Sequence, residues 1–328
     1  MAILLYKLIF VFMFESLEVL DHIRLNFKEG GLLFLNVALA FIMFGVALSI
    51  KISDFQSVIA KPKSSVVGYI SQFFFLPALT FLLVLVIRPT PSVALGMILV
   101  AACPGGNISN FLSSLAKGNS ALSVTLTALA TLSAIFMTPF NFAFWGGMYV
   151  KYYNNQGGVF LRPLEIDPFQ IFTTVFIILG IPVIVGVFFA RYFPKITQKI
   201  IKPIQRFSIF FFVLMVAIML KNNFTQFLDV IHIIFVIVLI HNALALAAGF
   251  SLASLFKLNR KDRRSISIET GIQNSGLALT LMFNPKIFPV EFELGGMAVI
   301  AAWWGIWHII SGLIMATLWG RKPLPDET

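Results

Sequence analysis

Hydrophobic residues along this chain form long blocks, without the spacing of a half-buried surface helix or strand. Blocks of about 20 apolar residues recur from end to end, each long enough to cross a bilayer as a helix. In hydrocarbon every backbone N–H and C=O has to be satisfied within its own segment, so the blocks predict helices. A β-barrel would instead alternate apolar and polar positions in segments of about ten residues. The pattern predicts nine spans, at about 32–51, 65–87, 93–116, 120–147, 169–190, 204–220, 229–256, 264–285 and 293–319. The connections between them are short. The longest, 148–168, holds Asn154, Asn155, Gly157, Gly158, Pro163 and Pro168 and predicts a linker between two halves, 31–147 and 169–320. Residues 1–30 break the pattern. Glu15, Glu18 and Asp21 interrupt their apolar run, and there is neither a basic n-region nor an A-x-A site, so they read as an interfacial helix or the remnant of a tenth span.

Two spans are themselves interrupted by polar residues. One contains Cys103-Pro104-Gly105-Gly106-Asn107-Ile108-Ser109-Asn110, the other Glu269-Thr270-Gly271-Ile272-Gln273-Asn274-Ser275-Gly276. Each is the third member of a set of four: 32–51, 65–87, 93–116 and 120–147 overlay in order on 204–220, 229–256, 264–285 and 293–319. With nine spans the two sets run in opposite directions. Interrupted segments at corresponding positions of an inverted repeat are a sequence pointer to a transporter binding site.

Composition agrees with a lipid solvent: 59% of the 328 residues are hydrophobic and 12% charged, about half the charged fraction of a soluble domain. The net charge of +10 sits at helix ends and in short loops, which argues against a nucleic-acid partner. With the N-terminus outside, 16 of the 24 Lys and Arg residues fall on the inner side. That bias predicts a multi-pass protein of the cell (plasma or inner) membrane with 321–328 as a cytoplasmic tail. The single cysteine, Cys103, excludes an intramolecular disulfide and reads as a small buried thiol.

Of 14 acidic residues, 13 fall in predicted loops, termini or helix ends, and only Glu269 sits in the interior of a span. An ionised carboxylate at that depth is costly unless paired or solvated, and no Lys or Arg lies at comparable depth. A bound cation is the simplest partner; a protonated Glu bonded to a neighbouring helix is the other reading. Unwound backbone carbonyls with Asn, Gln, Ser and Thr oxygens would complete a shell for a hard cation such as Na⁺. Ser109 and Asn110 lie in the first break, and Gln273 and Asn274 in the second. Ser123 and Thr127 share one helix face, and Gln72 stands in an otherwise apolar run. The half-helix N-termini beyond the breaks favour an anionic substrate, for which Gly106, Asn107, Asn274 and His308 are the candidate contacts. His232 and His241 read as packing residues. No H-E-x-x-H pair or G-x-S-x-G elbow is present, so the residues point away from an enzyme. They leave open a sodium-coupled symporter or a proton-coupled or uncoupled anion carrier.

The stretch 103–127, CPGGNISNFLSSLAKGNSALSVTLT, resembles the first crossover motif of the bile acid:sodium symporter family, and ETGIQNSG at 269–276 resembles its second. FIMFGVAL at 41–48, SQFFFLP at 71–77 and WHIISG at 307–312 are similar in the same order. The resemblance covers about 32–320. It implies an all-α fold in which two broken helices cross within a core domain beside a smaller panel domain. It also implies symport of an organic anion (bile-acid-like, sterol conjugate or small carboxylate) with Na⁺ at two sites. Carried over, the first site falls on Ser109, Asn110, Ser123, Thr127 and Glu269. The second falls on Gln72, Glu269, Gln273 and the backbones of Thr270 and Ile272. Ile309 departs from the family: many bacterial members carry Asn after the equivalent of His308.

Overall fold

The computed structural model describes residues 17, 20, 21, 37, 40–50, 62–106, 108–156, 168–222, 224–284, 287, 288 and 294–321. Among them the regular structure is helical, with one isolated β-bridge. In chain order the helices are α1 (40–47), α2 (Pro62–Ile87), α3 (Pro91–Ala102), α4 (Ile108–Leu115), α5 (Ser120–Asn155), α6 (Phe169–Tyr192), α7 (Pro194–Asn222), α8 (Phe224–Leu255), α9 (Arg260–Gly271), α10 (Ser275–Met282) and α11 (Gly295–Gly320). Among the described residues five segments are long and apolar enough to cross a membrane: α2, α5, α6, Ile231–Leu255 within α8, and α11. Side chains such as Val86, Phe169 and Leu255 are about three-quarters exposed on them, as expected of faces turned to lipid rather than water.

The interrupted spans are pairs of short helices, α3 with α4 and α9 with α10. Two other boundaries differ from the hydropathy pattern. The helix expected to stop at 147 continues to Asn155. Tyr149 is buried and Tyr152 and Tyr153 pack on the core, with the rings of Tyr149 and Tyr153 stacked at 6.1 Å. An aromatic stripe therefore holds the last two turns in place, and the expected linker at 148 is still helix. At the other boundary α7 starts ten residues before the predicted 204. Pro194 suits a first helical position, where no N–H is needed. Lys195, Lys199, Lys202 and Arg206 follow on one exposed face.

Within 1–30 the described residues are Leu17, Leu20 and Asp21. Both leucines are fully buried in the main core. Asp21 accepts hydrogen bonds from the backbone N–H of Ser92, at 3.2 Å, and from its hydroxyl. That places a carboxylate at the positive end of α3. The rest of the expected N-terminal helix lies outside the described residues.

Helix α2 contains a π-helical turn, Ser71–Phe75, just before Pro77, and α6 contains another, Phe176–Gly180, just before Pro182. A proline ring would collide with the carbonyl four residues back; one extra residue in the preceding turn makes room. In α2 this turn carries Ser71 and Gln72. Helix α8 packs most extensively on α9, and α3 packs on α11. Small residues allow both contacts: a Cβ on Gly249 would stand 2.7 Å from the Ile266 carbonyl oxygen and 2.8 Å from the Ser267 Cα. Gly249→Val should therefore lower the thermal midpoint of the detergent-solubilised protein, by a loss of roughly 1–3 kcal/mol. Gly147→Ala, where an added Cβ meets nothing within 4 Å, should leave it unchanged or higher. Equal midpoints for the two variants would contradict the close approach of α8 and α9.

Candidate cation site at the helix crossing

Helix α3 ends at Ala102. Pro104 supplies no N–H and cannot continue it, and the chain resumes as a helix at Ile108. Helix α9 ends at Gly271 and α10 starts at Ser275, with Asn274 as N-cap accepting a hydrogen bond from the Leu277 N–H at 3.0 Å. The two breaks meet as antiparallel backbone at Gly105 and Gln273. The Gly106 N–H donates to the Ile272 carbonyl at 2.8 Å, and the Asn274 N–H donates to the Pro104 carbonyl at 2.8 Å. Peptide groups released by one broken helix are thus satisfied by the other, which matters where water is scarce. Gly105 lets the backbone approach both side chains closely: a Cβ there would lie 2.9 Å from Gln72 Nε2 and 3.1 Å from Glu269 Oε2.

Glu269 lies in the last turn of α9 and is 1% exposed. Its carboxylate meets three hydroxyls. Ser109 Oγ donates to Oε1 at 2.5 Å, Ser123 Oγ donates to the same oxygen, and Thr127 Oγ1 lies 3.1 Å from both oxygens. Asn110 Oδ1 accepts from Ser123 Oγ at 2.9 Å and from Thr127 Oγ1 at 3.1 Å. The five residues of the expected first site therefore form one cluster drawn from α4, α5 and α9.

The expected second set gathers beside Gly105. Gln72 and Gln273 are each 1% exposed, and Gln72 Nε2 and Gln273 Oε1 are buried without a hydrogen-bond partner among the described residues. Gln273 Nε2 donates to the Thr270 carbonyl at 2.9 Å, while the Ile272 carbonyl takes the Gly106 N–H. Thr270 Oγ1 lies 2.8 Å from Ser71 Oγ. Among the described residues no three His, Cys, Asp or Glu side chains gather. The donors at the crossing are oxygens and amides, suited to a hard cation and not to zinc.

The expected anion contacts are more dispersed. Gly106 and Asn274 are half-buried at the crossing, and the Asn274 side-chain oxygen is occupied by its cap. Asn107 lies outside the described residues. His308 is buried in α11 with Nδ1 unpartnered. It stands one turn before Gly312, where a Cβ would touch Leu112 and Ile272, so α11 flanks the crossing.

Known proteins are similar to this chain in sequence. The model of the Sodium Bile acid symporter family matches residues 36–230. An uncharacterized sodium-dependent transporter of Bacillus subtilis is 31% identical over 88% of this chain and 84% of its own. This chain belongs to the Sodium Bile acid symporter family. A probable chloroplastic sodium/metabolite cotransporter of Oryza sativa is 30% identical over 88% of this chain and 64% of its own. Sodium/bile acid cotransporter 4 of Mus musculus is 28% identical over 81% and 61%. The chain thus spans a little under two thirds of the latter two relatives.

One residue at the crossing of this symporter-family chain escaped the sequence reading. Asn242, in α8, donates from Nδ2 to the Gly271 carbonyl at 2.8 Å and accepts on Oδ1 from Ser311 Oγ of α11 at 2.5 Å. It satisfies a carbonyl that the second break releases. Its signal in the sequence was two adjacent polar residues, His241-Asn242, in an apolar run. His241 itself behaves as a packing residue, with Nε2 2.8 Å from Thr80 Oγ1 and its ring 4.7 Å from that of Trp304. Asn242→Ala should cost about 1–3 kcal/mol by leaving the Gly271 carbonyl buried and unmet. Asn242→Asp, which keeps only the acceptor, should not restore the lost stability. Thermal melting of the three proteins in one detergent checks both expectations.

Proposed function

We propose that this chain is a secondary active symporter that imports an organic anion together with Na⁺ by alternating access. The observation that carries the reading is Glu269, a carboxylate buried at the crossing of two broken helices and met by neutral hydroxyls. A co-transported cation supplies the charge that these partners lack. One ion is held by Ser109, Asn110, Ser123, Thr127 and Glu269. A second is held by Gln72, Glu269, Gln273 and the carbonyls of Thr270 and Ile272. The unpartnered Gln273 Oε1 and Gln72 amide support the second position, since a turn of the Gln72 amide presents Oε1 as a ligand.

Glu269 is shared between the two positions. Its charge binds both ions, and occupancy of one draws α4, α5 and α9 into the geometry the other requires. Gly106, Asn107, Asn274 and His308 face the anion, whose charge the positive ends of α4 and α10 favour and whose class (bile-acid-like, sterol conjugate or small carboxylate) is the one the family resemblance implies. Two Na⁺ with a monovalent anion carry one net positive charge, worth about 2.3 kcal/mol per 100 mV. In this reading nine spans form two inverted repeats, 31–147 and 169–320, arranged as a core domain with the crossing and a smaller panel. Movement of one domain against the other opens the site to each side in turn. The protein lies in the cell membrane with its C-terminus in the cytoplasm, as the distribution of Lys and Arg supports.

Purified protein should be stabilised by NaCl and not by KCl or choline chloride, by about 2.7 kcal/mol at a concentration 100 times the dissociation constant. Glu269→Ala should insert normally yet lose both this stabilisation and sodium-driven uptake of an organic anion panel in proteoliposomes. Uptake that follows an imposed pH gradient and ignores Na⁺ would replace the reading with proton coupling.

A further inference from the structure

Helix α9 carries a second buried carboxylate that the ion site does not use. Asp262 is 2% exposed and lies seven residues before Glu269, two turns away on the same face. Hydropathy places it in a solvated helix end. The structure instead gives it three donors: Asn119 Nδ2 to Oδ1 at 2.7 Å, Ser64 Oγ to Oδ2 at 2.6 Å, and Asn259 Nδ2 to Oδ2 at 2.9 Å.

Each donor stands at the start of a different helix. Ser64 is in the first turn of α2, and Asn119 and Asn259 are the N-caps of α5 and α9. Both asparagines use their amide twice. Oδ1 caps its own helix, accepting from Leu122 N–H at 3.1 Å or Asp262 N–H at 2.9 Å, while Nδ2 holds Asp262. Both are delivered by the same turn. Lys117 and Lys257 adopt φ of 51° and 54°. Gly118 N–H then reaches the Ser113 carbonyl at 2.8 Å, and Leu258 N–H reaches Ala253 at 3.0 Å, closing the preceding helices. The Asn119 backbone is fastened further, its N–H to the Lys261 carbonyl at 3.2 Å and its carbonyl to Ser265 Oγ at 3.0 Å. Of the neighbouring cations, Arg264 Nη1 donates to the Ala116 carbonyl at 2.7 Å, and Arg263 Nε to that of Leu258 at 2.6 Å.

A carboxylate with three donors at the N-terminal ends of three helices is where the helix dipoles favour negative charge. The same three helices carry the proposed ion ligands. Gln72 follows Ser64 by eight residues, Ser123 and Thr127 follow Asn119 by four and eight, and Glu269 follows Asp262 by seven. The tie point therefore sits about 6–12 Å along the helices from the individual ligands.

We propose that Asp262 is a positioning residue for the cation site: it fixes the spacing of α2, α5 and α9 at which their ligands converge on Glu269. This rests on the sodium-binding reading of Glu269. Asp262→Asn sets an amide among three donors and removes the anion, so the helix ends separate and the ligands no longer converge. The test is a sodium titration of thermal stability and of initial uptake rate. Asp262→Asn should raise the sodium half-saturation at least tenfold while the rate at saturating sodium changes less than threefold. Asp262→Glu should recover part of the shift. Should Asp262→Asn not accumulate, Ser64→Ala and Asn119→Ala, which leave the carboxylate two donors each, should raise half-saturation two- to fivefold. A lower melting point without sodium, combined with an unchanged half-saturation in all of these variants, overturns the positioning role while leaving the Glu269 site standing. A wild-type protein indifferent to sodium overturns both.

Discussion

The structure depends on one constraint: a helix cannot be interrupted within hydrocarbon unless the peptide groups it releases find partners. Here two interruptions answer each other. Gly106 N–H reaches the Ile272 carbonyl and Asn274 N–H reaches the Pro104 carbonyl, so neither break is tolerable without its counterpart. The consequence is spatial. Segments more than 160 residues apart in sequence are held backbone to backbone, and the side chains on either side of each break are delivered to one place.

That place is polar for a reason that extends beyond its ligands. A carboxylate as buried as Glu269 needs partners in its unloaded state as well as a cation when loaded, and hydroxyls serve both states. Ser109, Ser123 and Thr127 donate to it through hydrogen and can turn their oxygens to an ion. A lysine or arginine would satisfy Glu269 permanently and leave nothing for a cation to do. Asn242 acts one step further out, meeting the Gly271 carbonyl from α8 and tying it to α11 through Ser311. The break is thereby connected to the helix that bears His308, one of the proposed anion contacts.

The relatives are similar in sequence over most of the present chain while differing in name between metabolite and bile acid cotransport. Under the proposed function the backbone crossing and acidic centre serve the ions, and the cargo can vary at positions such as Ile309. Stability and specificity are in that reading carried by different atoms: the first by paired peptide groups, the second by side chains near the half-helix ends.

Much of this was legible in the residues alone. Apolar block length determines that a segment is a membrane helix, because transfer of side chains into lipid is local and nearly additive. Pro104 with Gly105, and Gly271 with its polar neighbours, determine where helices stop. The rarity of an acid at depth singles out Glu269. Tertiary structure decided what depends on a partner. An aromatic stripe, not a loop, continues α5 to Asn155, because Tyr149 is buried against the main core. Asn242 looked like an ordinary polar residue until the Gly271 carbonyl was placed opposite it. Asp262, which hydropathy assigns to water, lies buried among the starts of three helices. In each case the free energy of a polar group is set by what faces it, and what faces it is chosen by how the helices cross.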